Sequence, residues 1–487
     1  MNEIVGALHT SAGASDTSAA QSRPVPAEWQ AGIALARRYA TSGPRYTSYP
    51  TAPQFSETFD LRRYLDWQAR RERHAQPLSL YVHLPFCRNI CYYCACNKVV
   101  TRKQGVAERY LQQIGTELAL QSELIGAERP VTQLHWGGGT PTYLDDGEIT
   151  ELMHALASHF KLLDKDHREY SIEIDPRSVD SGTIALLKGV GFNRISLGIQ
   201  DFDARVQAAV NRRHSYADIA NRVEAVRRYG FRSLSFDLIY GLPYQNHESM
   251  AETLRRVISL RPDRVACYNY AHLPERFPSQ RAIDRLTLPE PEEKLLLAQM
   301  IDAALRDAGY RCIGMDHYVL PDDDLALAQS EGRLQRNFQG YSLKLAEDLL
   351  GLGVSSISRI GDFYLQNART LDDYYALLGA GEYPMTRGYL SSREDRLRRR
   401  VIMSLICDLK LDIRACEQDF DIDFRAHFAA ALKALAPAMD DGLIALHEDR
   451  LQVSARGRTF LRNLCMPFDA YLPGHRGSGT ARFSATI

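Results

Sequence analysis

Four cysteines lie close together at the end of a short apolar run. The run covers residues 78–84, and the thiols follow as Cys87-x3-Cys91-x2-Cys94, with a fourth at Cys96. Thiolates this close in sequence can converge on a metal or an iron–sulfur cluster without long-range folding constraints. A cube of four irons held by three thiolates keeps one iron open, much as a catalytic zinc ion keeps an open position. The spacing therefore favours an open [4Fe–4S] site.

Other interpretations of the four cysteines are open at this point. Structural zinc sites use clustered thiols too, but they usually come as two separated pairs. Four thiolates can also hold one electron-transfer cluster, and free cysteines are often simply small buried hydrophobes.

The composition is that of an ordinary globular protein. With 487 residues the chain can build one large domain and one or two smaller ones. A net charge of −1 gives no reason to expect a nucleic-acid partner or attraction to a membrane surface. The five cysteines outside the cluster are scattered and form no disulfide framework. No run is long enough to span a bilayer and no signal-peptide pattern is present, so we expect a cytoplasmic protein.

Apolar strand-like runs alternate with amphipathic helical patterns from residue 78 onwards. The runs cover residues 78–84, 132–136, 169–174, 194–199, 233–239 and 264–270. Strands that alternate with helices form a parallel sheet with right-handed crossovers. Six such units predict an α/β fold, an incomplete (β/α)6 TIM-like barrel rather than the closed eight-stranded form. A partial barrel is open at its side, where a bulky substrate can enter.

Polar or glycine-rich residues follow every one of the six runs. In parallel β/α folds, chemistry takes place where the strands end. The cysteines follow the first run, a Gly-Gly-Gly-Thr-Pro sequence the second, Asp175 the third and Gln200 the fourth. The third and fifth runs also contain carboxylates, Glu173 and Asp237. One end of the barrel therefore carries the candidate site.

The regions around the barrel differ in character. The composition of residues 1–26 predicts a disordered tail. Residues 27–76 are expected to form an N-terminal segment. Residues 77–385 are expected to form the barrel, with an irregular extension after residue 310. Residues 386–472 predict a mainly helical, winged-helix-like domain, with helices over 393–409 and 424–436 and a hairpin of 443–446 against 451–454. Without a basic face, we expect this domain to pack over the barrel mouth rather than bind DNA. Residues 473–487 predict a second disordered tail.

The segment Ser-Gly-Pro-Arg-Tyr-Thr-Ser-Tyr-Pro-Thr, residues 42–51, allows two interpretations. Its Gly, Pro and Ser content is typical of a linker. It also holds Arg45, Tyr46 and Tyr49, which suits a segment that covers a site.

Eight motifs occur together and in order: YVHLPFCRNICYYCACNK, HWGGGTPTYL, SIEIDPR, LGIQDF, DLIYGLP, NYAHLP, MDHY and RNFQGY. Over about residues 30–472 the chain resembles the oxygen-independent coproporphyrinogen III oxidases, a family of radical S-adenosylmethionine (SAM) enzymes. The N-terminal segment matches the family as well, which favours the site-covering interpretation.

The resemblance implies a [4Fe–4S] cluster on Cys87, Cys91 and Cys94, with Cys96 characteristic of the family but not a ligand. It also implies two SAM molecules side by side. The positions that match the first SAM site are Tyr81, Gly138, Glu173 and Ile357. Those that match the second are Tyr93, Gly139, Thr140, Gln200, Arg212, Asp237 and Ala271.

The implied reaction converts two propionates of coproporphyrinogen III to vinyls, giving protoporphyrinogen IX in haem biosynthesis. The reduced cluster passes one electron to SAM, and the resulting 5′-deoxyadenosyl radical takes a hydrogen from the β-carbon of a propionate. Loss of CO2 and one electron then leaves the vinyl group. Because the substrate carries four carboxylates, we expect arginines to hold it, with Arg45 and Arg336 as candidates. We also expect a low-potential electron donor of flavodoxin or ferredoxin type, and a monomeric protein.

Three alternatives have to be separated from this hypothesis. A related haem chaperone would bind the cluster and SAM without oxidising the porphyrinogen. An electron-transfer or structural cluster protein would not consume SAM. A radical SAM enzyme with another substrate would share the cysteine loop.

Overall fold

The computed structural model describes residues 27–71, 76–103, 105–165 and 168–472, together with 484 and 486. The predicted tail 1–26 lies outside these residues, as does 473–487 except for Ser484 and Thr486. Within the described part of the chain, no helix is both long and apolar enough to cross a membrane.

Six parallel strands form the predicted barrel wall, in the spatial order 1-2-3-4-5-6. The strands are β1 (Leu78–Leu84), β2 (Pro130–Gly138), β3 (Glu169–Ile174), β4 (Arg194–Gln200), β5 (Ser233–Tyr240) and β6 (Arg264–Asn269). Two helices precede them, α1 (Ala27–Tyr39) and α2 (Leu61–Arg70). The crossover helices are α3 (Val106–Ile125), α4 (Asp146–His159), α5 (Ser181–Gly189), α6 (Ala204–Ala209), α7 (Tyr216–Arg228) and α8 (His247–Leu260). The predicted incomplete barrel is confirmed.

The register brings the carboxyl ends of the strands to one rim. Leu84 at the end of β1 is paired with Gly138 of β2, and Gly198 of β4 with Asp237 of β5. Each crossover must return to the opposite end of the sheet before the next strand begins. The residues that follow the strands therefore gather at the same rim.

Local signals fix where the crossover helices begin and end. Asp145 and Glu148 form a reciprocal capping box at the start of α4. Gly191 and Gly230 follow helices α5 and α7 with φ values of 113° and 70°, in the left-handed region that favours glycine.

The sheet continues beyond both edges of the barrel into a thirteen-stranded sheet. After α9 (Pro291–Asp307), β7 (Arg311–Gly314) and β8 (His317–Val319) extend the β6 edge antiparallel. Helix α10 (Asp324–Ser330) and a separate hairpin, β9 (Leu334–Asn337) with β10 (Gly340–Leu343), follow. On the other edge β11 (Asp348–Leu352) pairs parallel with β1, and β12 (Ile357–Ile360), β13 (Phe363–Asn367) and β14 (Met385–Leu390) continue antiparallel. The predicted domain boundary at 385/386 falls within β14.

The C-terminal region is mainly helical, as predicted. After α11 (Leu371–Gly379), the helices are α12 (Arg393–Cys407), α13 (Ile413–Phe420), α14 (Phe424–His427), α15 (Ala429–Asp440) and α16 (Leu461–Cys465). A small sheet contains β15 (Lys410–Asp412), β16 (Ile444–Leu446) and β17 (Arg450–Val453). The single helix expected over 424–436 is wrong, because Phe428, at φ −100° and ψ 21°, separates α14 from α15. Phe428 is fully buried against Phe424 and Phe468, so its packing competes with helix continuity.

The N-terminal segment joins the barrel to the C-terminal region. The Arg45 guanidinium donates to the carbonyl of Asn269 at the end of β6. The Tyr46 hydroxyl donates to Asp469 at 3.1 Å, and the Tyr49 hydroxyl accepts from the Ala470 amide at 2.9 Å. Segment 42–51 thus reaches from the strand ends to the last helices.

Candidate active site

The cysteine loop is held at both of its ends. The two-residue strand Phe86–Cys87 pairs with Val99–Val100, which closes the loop at its base. Further along, Asn211 donates to the carbonyl of Ile90 at 2.7 Å, and Gln280 donates to that of Tyr93 at 3.1 Å. Backbone contacts from distant parts of the chain therefore fix where the thiols lie.

All four thiols of the loop line one cavity of about 160 Å³ at the carboxyl rim of the barrel. Among the described residues, no three His, Cys, Asp or Glu side chains meet around a single metal ion. A four-iron cube does not require such a meeting point, because each thiolate binds a different iron. The shared cavity with several thiols fits the cluster that the sequence predicts.

The glycine run after β2 packs against the start of the cysteine loop. The Gly139 amide donates to Leu84 at 2.8 Å, and the Thr140 amide donates to Phe86 at 2.9 Å. The Thr140 hydroxyl lies 3.5 Å from the Cys87 sulfur. A Cβ at position 139 would come within 2.5 Å of the Pro85 carbonyl oxygen. This position needs glycine for close approach rather than for backbone conformation.

We predict that Gly139→Ala destabilises the protein by roughly 2–4 kcal/mol, because backbone atoms of the cysteine loop must move to admit the methyl group. The matched control is Gly189→Ala, which places a Cβ at the end of α5 with no atom within 4 Å. Urea unfolding should show a large loss for the first variant and a change below about 1 kcal/mol for the second. Equal stability of the two variants would refute the steric account.

Two arginines and a carboxylate lie beside Cys91. The Arg212 guanidinium is 3.5 Å and that of Arg177 3.7 Å from the Cys91 sulfur. Both also donate to Asp175. Burial would raise the pKa of Asp175, but the two guanidinium groups hold it at about 2. The surroundings of this thiol are therefore positively charged overall, with two guanidinium groups against one carboxylate.

Cys94 and Cys96 interact directly. A hydrogen bond from the Cys96 thiol and the positive charge of Lys98 lower the pKa of Cys94 to about 6, although burial acts in the opposite direction. The same bond and burial raise the pKa of Cys96 well above its usual value. Burial raises the pKa of Cys87 to about 11. The hydrogen bond therefore favours a thiol on Cys96 and a thiolate on Cys94.

A chain of polar contacts connects β1, β2 and β3 below the glycine run. The Tyr81 ring stacks on His135 with centroids 5.8 Å apart, and His135 contacts Glu173 at 3.3 Å. The Gly138 amide donates to the same carboxylate, also at 3.3 Å. Although desolvation raises the pKa of Glu173, these partners bring it below its usual value. Glu173 is therefore an ionised acceptor that faces the cavity.

Asp237 of β5 and Gln200 of β4 also line this cavity. Gln200 has a φ of 69° at a register shift between β4 and β5, which turns its side chain out of the regular pleat. The Ser196 hydroxyl donates to Asp237 at 2.8 Å. Burial nevertheless raises the pKa of Asp237 to about 6. The protein thus maintains a carboxylate that is costly to ionise.

We predict that Asp237→Asn loses activity but becomes more stable than the wild type above pH 6. The raised pKa means that the folded state holds this proton more tightly than the unfolded state, so wild-type stability falls as the pH rises from about 4 to about 6. The amide does not ionise. The variant's advantage should reach about 3 kcal/mol at pH 8 and vanish near pH 4 in urea unfolding. A pH-independent difference would contradict this.

Eight of the predicted SAM-binding residues line the cluster cavity. They are Tyr93, Gly138, Gly139, Thr140, Glu173, Gln200, Arg212 and Asp237. The other three do not line it. Tyr81 stacks on His135, and Ala271 follows the end of β6. Ile357 lies beside Gly351, a residue of β11, which is the strand next to β1.

A second cavity, of about 350 Å³, continues from the first into the barrel interior. The two cavities share Tyr93, Glu173, Ser196, Gln200 and Asp237. The rim and the interior therefore form one continuous space.

Each of the two arginines predicted for the substrate lies beside a ring that lines the interior cavity. The Arg45 guanidinium is 5.8 Å from the ring centroid of Tyr268. The Arg336 guanidinium is 4.7 Å from the ring centroid of Tyr341. Arg336 is buried, and it also lines a cleft under α12.

Sequence reasoning missed His135, Lys98 and His83. His135 was hidden inside a strand, yet alternation along β2 places it on the same face as Gln133 and Gly137, towards the interior. His83 connects the Tyr81 hydroxyl with the Asn97 carbonyl, both at 3.0 Å. Such links become visible only when the strand neighbours are known.

Comparison with known proteins gives consistent matches. The family model described as the Radical SAM superfamily matches residues 81–257, and the HemN C-terminal domain matches 391–460. An oxygen-independent coproporphyrinogen III oxidase of Pseudomonas aeruginosa is 50% identical over 453 residues, covering 93% of this chain and 98% of the relative. The oxygen-independent coproporphyrinogen III oxidase of Escherichia coli K12 is 48% identical over 440 residues, which cover 90% of this chain and 95% of the relative.

A solved structure agrees with these relatives. Coproporphyrinogen III oxidase from Escherichia coli, described as a radical SAM enzyme, matches with a TM-score of 0.85 at 46% identity. The match covers 90% of this chain and 98% of that one.

Proposed function

The chain belongs to the oxygen-independent coproporphyrinogen III oxidase family of radical SAM enzymes, and we propose that the cavity at its barrel rim is where that reaction takes place. The chain is a radical SAM oxidoreductase that converts coproporphyrinogen III to protoporphyrinogen IX by oxidative decarboxylation of two propionates. The observation that carries this conclusion is 50% identity across 98% of a named oxidase.

Cys87, Cys91 and Cys94 would hold a [4Fe–4S] cluster. Their thiols share one cavity, and Arg212 and Arg177 supply positive charge beside Cys91. When bound, the reduced cluster supplies the electron that converts SAM to methionine and a radical able to remove an unactivated hydrogen. No amino-acid base can perform that abstraction, so the residues of this chain serve to bind, orient and exclude water.

We propose that two SAM molecules occupy the joined cavities. For the first, Glu173 offers an ionised acceptor for ribose hydroxyls, next to the glycine run, where a ligand can approach the backbone closely. For the second, Asp237, Gln200 and Arg212 provide one acidic, one amide and one basic group in the same cavity lining. Tyr81, Ile357 and Ala271 lie outside the lining, and we propose that they act through the backbone or through neighbours.

Arg45 is the better placed of the two predicted substrate arginines. Its guanidinium lies over Tyr268 at the carboxyl end of β6, where it can meet a propionate of a macrocycle that enters from the open side. Because segment 42–51 also contacts the C-terminal helices, closure of that segment would shield the reacting groups from water.

We also propose a cytoplasmic monomer that receives electrons from a flavodoxin- or ferredoxin-type donor. The near-neutral net charge and scattered free cysteines support the compartment. The haem chaperone is the second candidate, and the named relatives favour the oxidase over it.

The test is an anaerobic reaction of the reconstituted protein with dithionite, SAM and coproporphyrinogen III, followed by mass spectrometry. We expect loss of two CO2 from the porphyrinogen together with 5′-deoxyadenosine. Deoxyadenosine without decarboxylation would refute the substrate assignment, and neither product from protein with an intact cluster would favour the chaperone.

A further inference from the structure

A cleft of about 660 Å³ lies between the sheet extension and α12, away from the cysteine loop. It opens at the amino-terminal side of the barrel: Arg359, on its wall, is paired with Leu349 near the start of β11, which runs parallel to β1. The cysteines follow the opposite end of β1. Neither the cluster cavity nor the interior cavity shares a lining residue with this cleft.

Basic residues dominate the cleft wall. They are Arg336, Lys344, Arg359, Arg396, Arg399 and Arg400. Four acidic residues line it as well: Glu347, Asp362, Asp408 and Asp419. Among the described residues, Arg396 and Asp362, at 2.8 Å, are the one ion pair formed between these two sets. Burial raises the pKa of Asp408 to about 6, so this carboxylate is still ionised near neutral pH, and the six basic residues exceed the four acidic ones by two. The cleft is therefore positively charged.

The innermost arginine has no hydrogen-bond acceptor for two of its nitrogens. Arg336 is 6% exposed, and its Nε and Nη1 atoms are buried without a partner in the described part of the chain. The Nε of Arg399 is likewise buried and without a partner. Burying an unpaired guanidinium costs several kcal/mol, and a bound oxyanion would remove that cost.

Like charges are also close together here. Burial and the neighbouring Arg399 lower the pKa of Arg359 to about 10. A fold gains nothing from placing two cations side by side, whereas two planar guanidinium groups form a good receptor for carboxylate or phosphate oxygens. Tyr364, Met403 and Phe420 add apolar surface for the body of a ligand.

We propose that this cleft binds a small polyanion, a molecule with two or more carboxylate or phosphate groups, at a site separate from the catalytic cavity. Arg336, Arg359 and Arg399 are its oxyanion-binding residues. The site goes beyond the proposed reaction, which does not use this cleft.

The experiment is isothermal titration of the full-length, cluster-loaded protein at low salt, with inorganic triphosphate in one arm and citrate in the other. We expect saturable binding of at least one probe, and the arm that binds identifies phosphate or carboxylate as the preferred group. The double variant Arg359→Gln/Arg399→Gln should weaken that binding at least tenfold per arginine. The matched control is Arg255→Gln, an exposed arginine of α8 paired with Glu252, which should bind as the wild type does.

Thermal unfolding without a probe distinguishes a binding site from a structural one. If the arginines serve a ligand, the double variant should be at least as stable as the wild type, because two repelling cations are removed. A markedly less stable double variant would overturn the proposal. So would equal binding to wild type and double variant, or no saturable binding of either probe up to about 10 mM.

Discussion

Replacement of Cys91 by alanine should abolish cluster binding and, with it, SAM cleavage and porphyrinogen decarboxylation. A cluster that already has one iron without a protein ligand is held by only three thiolates, so the substitution removes one of its three protein ligands. Cys91 is also the buried thiol of the loop, set against Arg212 and Arg177. We expect iron and sulfide contents near zero after reconstitution, and deoxyadenosine formation below detection.

The matched control is Cys96→Ala in the same loop. Its thiol donates to Cys94 rather than serving as a predicted ligand, so cluster absorbance should stay near the wild-type level. Wild-type iron content in Cys91→Ala, or a complete loss of iron in Cys96→Ala, would show that the ligand set has been assigned wrongly.

The second large effect is expected for Arg212→Met. The guanidinium donates to the Gly198 carbonyl at 2.6 and 3.0 Å and to Asp175 at 3.2 Å. A methionine of similar length leaves the buried carbonyl without its donor and takes a positive charge away from Asp175 and Cys91. Removing one partner of a buried pair costs roughly 3 kcal/mol here, at the lower end of the usual range because Arg177 still binds Asp175.

The neighbouring residue provides the control for this variant. Arg213 is exposed, so Arg213→Met should change unfolding free energy by less than about 0.5 kcal/mol. We expect SAM affinity, measured by equilibrium dialysis, to fall at least tenfold in Arg212→Met and to stay unchanged in Arg213→Met. Equal effects of the two variants would mean that Arg212 contributes no more than a surface charge.

Much of the barrel could be predicted because its strands are buried apolar runs between clear helix signals. The start of every barrel strand lies within two residues of its prediction, and β1 and β3 have the predicted bounds. The rim position of the cysteines, Glu173 and Asp237 followed from the rule that parallel strands end together.

The sheet extension and the cleft could not be predicted from the sequence. Strands such as β8 and β10 are short, and their pairing partners are distant in the chain, so local periodicity carries little information about them. The expectation that Arg336 binds the substrate rests on its residue type and on its place in the RNFQGY motif. Its burial under α12 depends on how the C-terminal region packs against the β9–β10 hairpin, which is a long-range property.

We expect a SAM-derived radical to take hydrogen from a propionate β-carbon in this cavity. The most direct measurement uses coproporphyrinogen III deuterated at those carbons, with mass analysis of the deoxyadenosine formed. We predict that deuterium appears in the 5′-deoxyadenosine as the porphyrinogen loses CO2. Deoxyadenosine without deuterium, alongside full decarboxylation, would contradict the claim and place hydrogen removal elsewhere.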